Sequence, residues 1–130
     1  MWSKKIKPTE ITVGITNETI EFAKEFGEYL ADNGNVRDAE LKTSQLRKFY
    51  GEVKRQEMTG SGYNESDFIM LKPKLAYAAG RANKGNRIHD FYSVMADAID
   101  QVHNEKQFQN FIRIFEAIVA YHKLAESQKK

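Results

Sequence analysis

Between Pro73 and Lys84 the sequence has basic residues at helical spacing and no acidic residue. A helix turns about 100° per residue, so one side of it carries cations and an aromatic ring. We call this side the basic face, and its residues are Lys74, Tyr77, Arg81 and Lys84. Lysine and arginine neutralise phosphates, and a tyrosine ring can stack on a base or bond to a sugar or phosphate. Because an ordinary solvent-facing helix mixes both signs of charge to gain i, i+4 pairs, the pattern favours nucleic-acid contact. A solvated face is the alternative.

The predicted helix before it adds basic residues at the edge of its apolar side. Arg47 and Lys54 are seven residues apart and flank Tyr50, so we expect them to join a groove formed with the basic face. Lys48 and Arg55 are also seven residues apart, but we expect them to point away from the core, toward solvent or a second surface. Acidic residues on this helix offset part of its positive charge. For its cations, exposure to solvent and nucleic-acid binding therefore stay equally open.

The sequence shows no arrangement of residues typical of catalysis or metal binding. The histidines have neither i, i+4 spacing nor the spacing of a short metal motif: His89, His103 and His122. His122 falls on the apolar side of the last predicted helix, which predicts a buried, hydrogen-bonded side chain. The pair Gly60 and Gly62 lacks the Gly-Lys-Ser/Thr that completes a phosphate-binding loop. We therefore expect no cofactor, no metal and no catalytic residue, although catalytic groups can converge from distant positions.

The composition predicts one globular domain over residues 1–130. Of the 130 residues, 41% are hydrophobic and 29% charged, as in ordinary globular proteins. There is no cysteine, which excludes a disulfide framework, a thiolate zinc site and a cysteine nucleophile. The net charge is only +2, but residues 36–89 carry 11 basic and 6 acidic side chains, a concentration that attracts phosphate-bearing partners. No apolar run is long enough for a signal-peptide core or a membrane span, so we expect a cytoplasmic protein without a membrane partner.

Apolar periodicity, capping residues and breaks predict an all-α fold, a compact bundle of about five helices with an extended N-terminal arm. The predicted helices are Thr19–Asp32, Ser44–Met58, Pro73–Lys84, Arg87–His103 and a last one from the Asn104 cap to Ser127. Apolar residues cover more than half of the last helix, so it should be central. The arm is assigned to residues 1–16, because the alternating segment 11–16 has no partner strand. Residues 59–66 are predicted to be a flexible loop, and 67–71 could add one helical turn.

Three stretches of the chain carry a family resemblance. They are Thr43–Tyr50 (TSQLRKFY), Leu71–Arg81 (LKPKLAYAAGR) and Phe115–Lys123 (FEAIVAYHK). In this order and spacing they resemble the small helical subunit of the type III-A CRISPR effector, the Csm complex. The resemblance covers residues 43–123, and its most specific pieces are Leu-Lys-Pro-Lys and Ala-Ala-Gly-Arg.

The resemblance implies a compact, all-helical, non-catalytic subunit in antiviral defence. In the family, several copies stack head to tail beside the backbone subunits, line the channel that holds the guide RNA–target RNA duplex, and contact RNA through its backbone. RNA and DNA cutting belong to the backbone and large subunits. The expected partners are therefore guide RNA, target RNA, the backbone and large subunits, and other copies of the chain.

The predicted RNA-binding residues come from the two lines of reasoning together. The family motifs supply Arg47, Lys72, Lys74 and Arg81, and the helical pattern adds Lys54, Tyr77 and Lys84. Two other functions stay open on the sequence alone. One is a free-standing helical DNA-binding regulator, and the other is a small ribonuclease that uses His89 or His122.

Overall fold

The computed structural model describes residues 2–59 and 62–128, and within them every regular element is an α-helix. The helices are α1 Pro8–Thr12, α2 Asn17–Ala31, α3 Thr43–Met58, α4 Glu65–Ile69, α5 Leu71–Arg81, α6 Ile88–Ile99 and α7 Glu105–Ser127. Five longer helices (α2, α3, α5, α6 and α7) correspond to the five predicted from the sequence, with ends that differ by up to four residues. The all-α fold is therefore confirmed, and α1 and α4 are additional short helices.

Helix α7 lies at the centre of the fold, as its broad apolar surface predicts. Its buried apolar side chains are Phe108, Phe111, Ile112, Ile114, Phe115 and Ile118. Helix α2 approaches it closely: a β-carbon on Gly27 would lie 2.7 Å from the backbone nitrogen of His122 and 3.0 Å from the carbonyl oxygen of Ile118. Only glycine fits this crossing without moving one helix, because protein interiors are close-packed.

The N-terminal segment is packed and partly helical, so the prediction of an extended arm is wrong. Helix α1 begins at Pro8, whose fixed φ suits the first helical position. Ile6 and Ile11 are fully buried, and the side-chain amide of Asn110 donates a 2.8 Å hydrogen bond to the Ile11 carbonyl oxygen. The Trp2 ring lies 4.9 Å from the ring of Phe26, measured between centroids. The apolar residues of this segment thus cover α2 and α7, which their alternation in sequence does not reveal.

Helix α5 begins two residues before Pro73 and ends at Arg81. Proline is tolerated here because the first turn of a helix needs no N–H donor. After the helix the backbone N–H of Asn86 donates to the carbonyl oxygen of Asn83 at 3.0 Å, which closes a turn into α6. The predicted extension of this helix to Lys84 is therefore wrong, and Lys84 lies in the turn instead of on the helical face.

The segment predicted to be a flexible loop, residues 59–66, is anchored near its end. Gly60 and Ser61 lie outside the described residues. The backbone N–H of Tyr63 donates to Glu105 Oε1 at 2.6 Å, and its ring packs against the rings of Phe68 and Phe108. These contacts attach the segment to α4 and α7. Flexibility of the loop stays a prediction.

Candidate nucleic-acid interface

Helices α3 and α5 enclose an open groove of about 550 Å³. Its lining combines apolar side chains with cations and one carboxylate: Phe49, Pro73, Tyr77, Ala78, Lys48, Lys74, Arg81 and Glu52. A smaller pocket of about 350 Å³ shares part of this lining and continues past Gln45 and Ala82. We call the two pockets together the α3–α5 groove. It presents positive charge and aromatic surface side by side.

Three of the residues predicted to bind RNA line this groove: Lys74, Tyr77 and Arg81. All three side chains are exposed. The Tyr77 side chain is 69% exposed, and the guanidinium carbon of Arg81 lies 5.7 Å from the centre of its ring. That distance is within the range of a cation–π interaction. The basic face predicted from the sequence thus exists over these three residues.

The other predicted residues do not line the groove: Arg47, Lys54, Lys72 and Lys84. Lys54 forms a 2.6 Å ion pair with Glu57, and Lys72 forms a 2.6 Å ion pair with Asp100. The prediction that Arg47 and Lys54 would join a groove with the basic face is wrong. RNA binding by these four cations stays a prediction.

Lys48 is exposed, as expected for a side chain that points away from the core, but it lines the groove, which was expected of Arg47 and Lys54 instead. The cause is a rotated buried side of α3. Gln56 is buried because its Nε2 donates to the carbonyl oxygen of Asp67 at 3.1 Å, whereas Tyr50 is only partly buried. The buried side therefore turns toward Gln56, which brings Lys48 and Glu52 to the flank that meets α5. A buried glutamine with a long-range partner leaves no signal in the sequence.

Glu52 places a negative charge in the groove. Its Oε2 accepts hydrogen bonds from Arg55 Nη2 at 2.6 Å and from Gln56 Nε2 at 3.1 Å, and lies 3.6 Å from Lys74 Nζ. The hydrogen bond from Arg55, supported by Gln56 and by the charge of Lys74, lowers the pKa of Glu52 to about 2 against the opposing effect of burial. The carboxylate is thus ionised at neutral pH and partly neutralises Lys74.

Lys48 and Arg81 are the cations of the groove that have no ion-pair partner among the described residues. The lining as a whole holds three cations against the single carboxylate of Glu52. The excess positive charge and the solvent-exposed ring of Tyr77 suit an anionic ligand with flat aromatic groups. Nucleic acid has both features.

Two of the three histidines contact backbone carbonyl oxygens through their side chains. His122 is 1% exposed, and its Nε2 lies 2.6 Å from the carbonyl oxygen of Leu41, which confirms the prediction of a buried, hydrogen-bonded side chain. His89 Nε2 lies 3.0 Å from the carbonyl oxygen of Asn83. Across residues 2–59 and 62–128 no cluster of side chains suits a metal ion. In the same described ranges no helix is long and apolar enough to cross a membrane.

Comparison with protein families gives one match over most of the chain. The family model described as Csm2 Type III-A matches residues 15–128, which include helices α2 to α7 and therefore both walls of the α3–α5 groove. Comparisons with curated proteins and with solved structures gave no match.

Proposed function

This chain belongs to the Csm2 Type III-A family, the small subunit of the type III-A CRISPR complex, and from that premise we propose that its α3–α5 groove contacts the RNA backbone. The subunit lines the channel that holds guide RNA and target RNA. It acts in antiviral defence in the cytoplasm as a non-catalytic component, beside the backbone and large subunits and further copies of itself.

The convergence of Lys48, Lys74 and Arg81 on one groove supports this proposal. The three cations come from two helices and are all exposed. Contacts to phosphate fix the position of a nucleic acid without reading its sequence, whereas pairing between guide and target reads the sequence. Cations at a groove therefore suit a subunit that must accept any guide.

The cations differ in how freely they can meet a phosphate. Lys48 and Arg81 have no ion-pair partner among the described residues, while Lys74 lies 3.6 Å from Glu52. Exposed Arg47 and Lys84 are proposed as additional contacts outside the groove. Lys54 and Lys72 must first leave their carboxylate partners, so we assign them weaker roles.

The test removes the two free cations of the groove together, as Lys48→Gln/Arg81→Gln. RNA affinity falls for all sequences alike. The plot of log affinity against log salt becomes shallower by about one or two units, since each phosphate contact contributes a slope of about −0.7 on single strands. Melting temperature changes little, because exposed charges contribute little to folding.

The matched control is Lys24→Gln/Lys106→Gln, which removes two exposed cations from α2 and α7 and changes the net charge equally. Affinity and salt slope of this control stay close to those of the parent. Equal RNA binding by the groove variant and the control refutes backbone contact by the groove. Membership of the complex is checked separately, by co-purification with the other Csm subunits and a short guide RNA.

A further inference from the structure

Tyr77 stands apart from the other tyrosines. The sequence has six tyrosines, and five of them are partly buried against the hydrophobic core: Tyr29, Tyr50, Tyr63, Tyr92 and Tyr121. Tyr77 instead leaves 69% of its surface in solvent. Leu75 and Ala79 are among the buried side chains of this helix, and the exposed Tyr77 ring contributes little to the core. The residues that surround the ring therefore indicate its role.

The surroundings of Tyr77 are those of a binding groove. Phe49, Pro73 and Ala78 contribute apolar surface to the same groove. The guanidinium carbon of Arg81 lies 5.7 Å from the ring centre, which keeps a cation next to any flat group that stacks there. The pocket of the groove that Tyr77 lines has a volume of about 550 Å³, which is within the range of small-molecule sites.

Lys48 lines the same groove from α3, the helix opposite Tyr77. Lys48 and Arg81 both line the two pockets of the groove, so two cations that have no ion-pair partner among the described residues border the groove that Tyr77 lines. Glu52 is held by Arg55 and Gln56 and cannot turn toward either cation without losing those hydrogen bonds. A ligand with two anionic groups and a flat aromatic group between them in space would match this arrangement.

We propose that the α3–α5 groove takes one unpaired nucleotide of RNA, with its base stacked on Tyr77 and its flanking phosphates at Lys48 and Arg81. This inference rests on the proposed function and deepens it from backbone contact to a base-binding site. A base within a continuous duplex has both faces covered by its neighbours, whereas an unpaired base can present a face to the ring. Stacking accepts every base because each has a π-face, so the site distinguishes unpaired from paired RNA without reading sequence.

The experiment compares two RNAs of equal length, a continuous duplex and the same duplex with one unpaired 2-aminopurine. The full chain binds the second RNA at least about fivefold more tightly, as expected for one base stacked on an aromatic ring. Binding also quenches the 2-aminopurine fluorescence. Tyr77→Leu removes both the preference and the quenching, while Tyr77→Phe keeps both. The exposed position of Tyr77 means that neither variant disturbs folding, which circular dichroism verifies.

The outcomes separate this inference from the proposed function. If the parent binds both RNAs equally and Tyr77→Leu changes nothing, while Lys48→Gln/Arg81→Gln still weakens binding, the base site is refuted and backbone contact stands. If neither RNA binds to the parent, both proposals fail. If Tyr77→Leu binds RNA normally but no longer assembles with the other Csm subunits, the groove holds a protein segment and the base site is again refuted.

Discussion

Replacing Gly27 with alanine tests the close crossing of α2 and α7. The added β-carbon would lie 2.7 Å from the His122 backbone nitrogen and 3.0 Å from the Ile118 carbonyl oxygen, where ordinary contacts are 3.4–4 Å. Both neighbours are backbone atoms of the central helix, so no side chain can rotate away. One helix must shift, and such overpacking costs about 1–3 kcal/mol.

Alanine also stabilises a helix relative to glycine by about 0.5–1 kcal/mol, which offsets part of that cost. We expect Gly27→Ala to lower the free energy of unfolding by about 1–2 kcal/mol. For a chain of this length that corresponds to a melting temperature lower by about 4–8 °C. Urea denaturation followed by circular dichroism measures the free energy directly.

Gly51→Ala is the matched control, because it places the same methyl group on another helix. A β-carbon at Gly51 meets no atom within 4 Å, so only the gain in helix propensity remains and stability rises by about 0.5–1 kcal/mol. The two substitutions should therefore change stability in opposite directions. Equal stability of the two variants would refute the close packing of α2 on α7.

Three further substitutions probe other contacts. His122→Ala leaves the buried carbonyl oxygen of Leu41 without its partner and should lower the free energy of unfolding by about 1–3 kcal/mol; loss of an RNA-cleaving activity at unchanged stability would contradict this. Ile11→Ala should cost about 2–4 kcal/mol if the N-terminal segment is packed, and almost nothing if it is an extended arm. Glu52 has a lowered pKa in the folded state, so its stabilising contribution is complete above its unfolded pKa and is lost as pH falls toward about 2. Acid titration of Glu52→Gln should accordingly show a smaller loss of stability below about pH 4.5 than the parent does.

The sequence predicted those features that depend on local chemistry. The predicted cap Asn104 accepts a hydrogen bond from the backbone N–H of Gln107, and this residue type is recognisable as a cap in any sequence. The apolar pattern of α7 identified the central helix and the burial of His122. Local reasoning failed at the N-terminal segment, because the partners of Ile11 lie about a hundred residues away.

The candidate site was predictable on one wall only. A single helix fixes which residues share its own face, so Lys74, Tyr77 and Arg81 were identified together. The partner wall depends on which side of α3 is buried, and that side includes Gln56. The sequence predicted that Lys48 is exposed but not that it lines a groove with α5, since the packing of two helices cannot be recognised from the residue spacing of one.

The carboxylate of Glu52 also limits how the protein behaves outside a complex. An incoming phosphate is attracted by Lys48 and Arg81 but repelled by this fixed anion, so a single engagement of the groove is weak. Under the proposed function, a subunit held in the complex meets RNA at an effective concentration on the order of millimolar, where weak contacts are sufficient. Avidity then adds to the affinity of one chain in deciding how long RNA is retained.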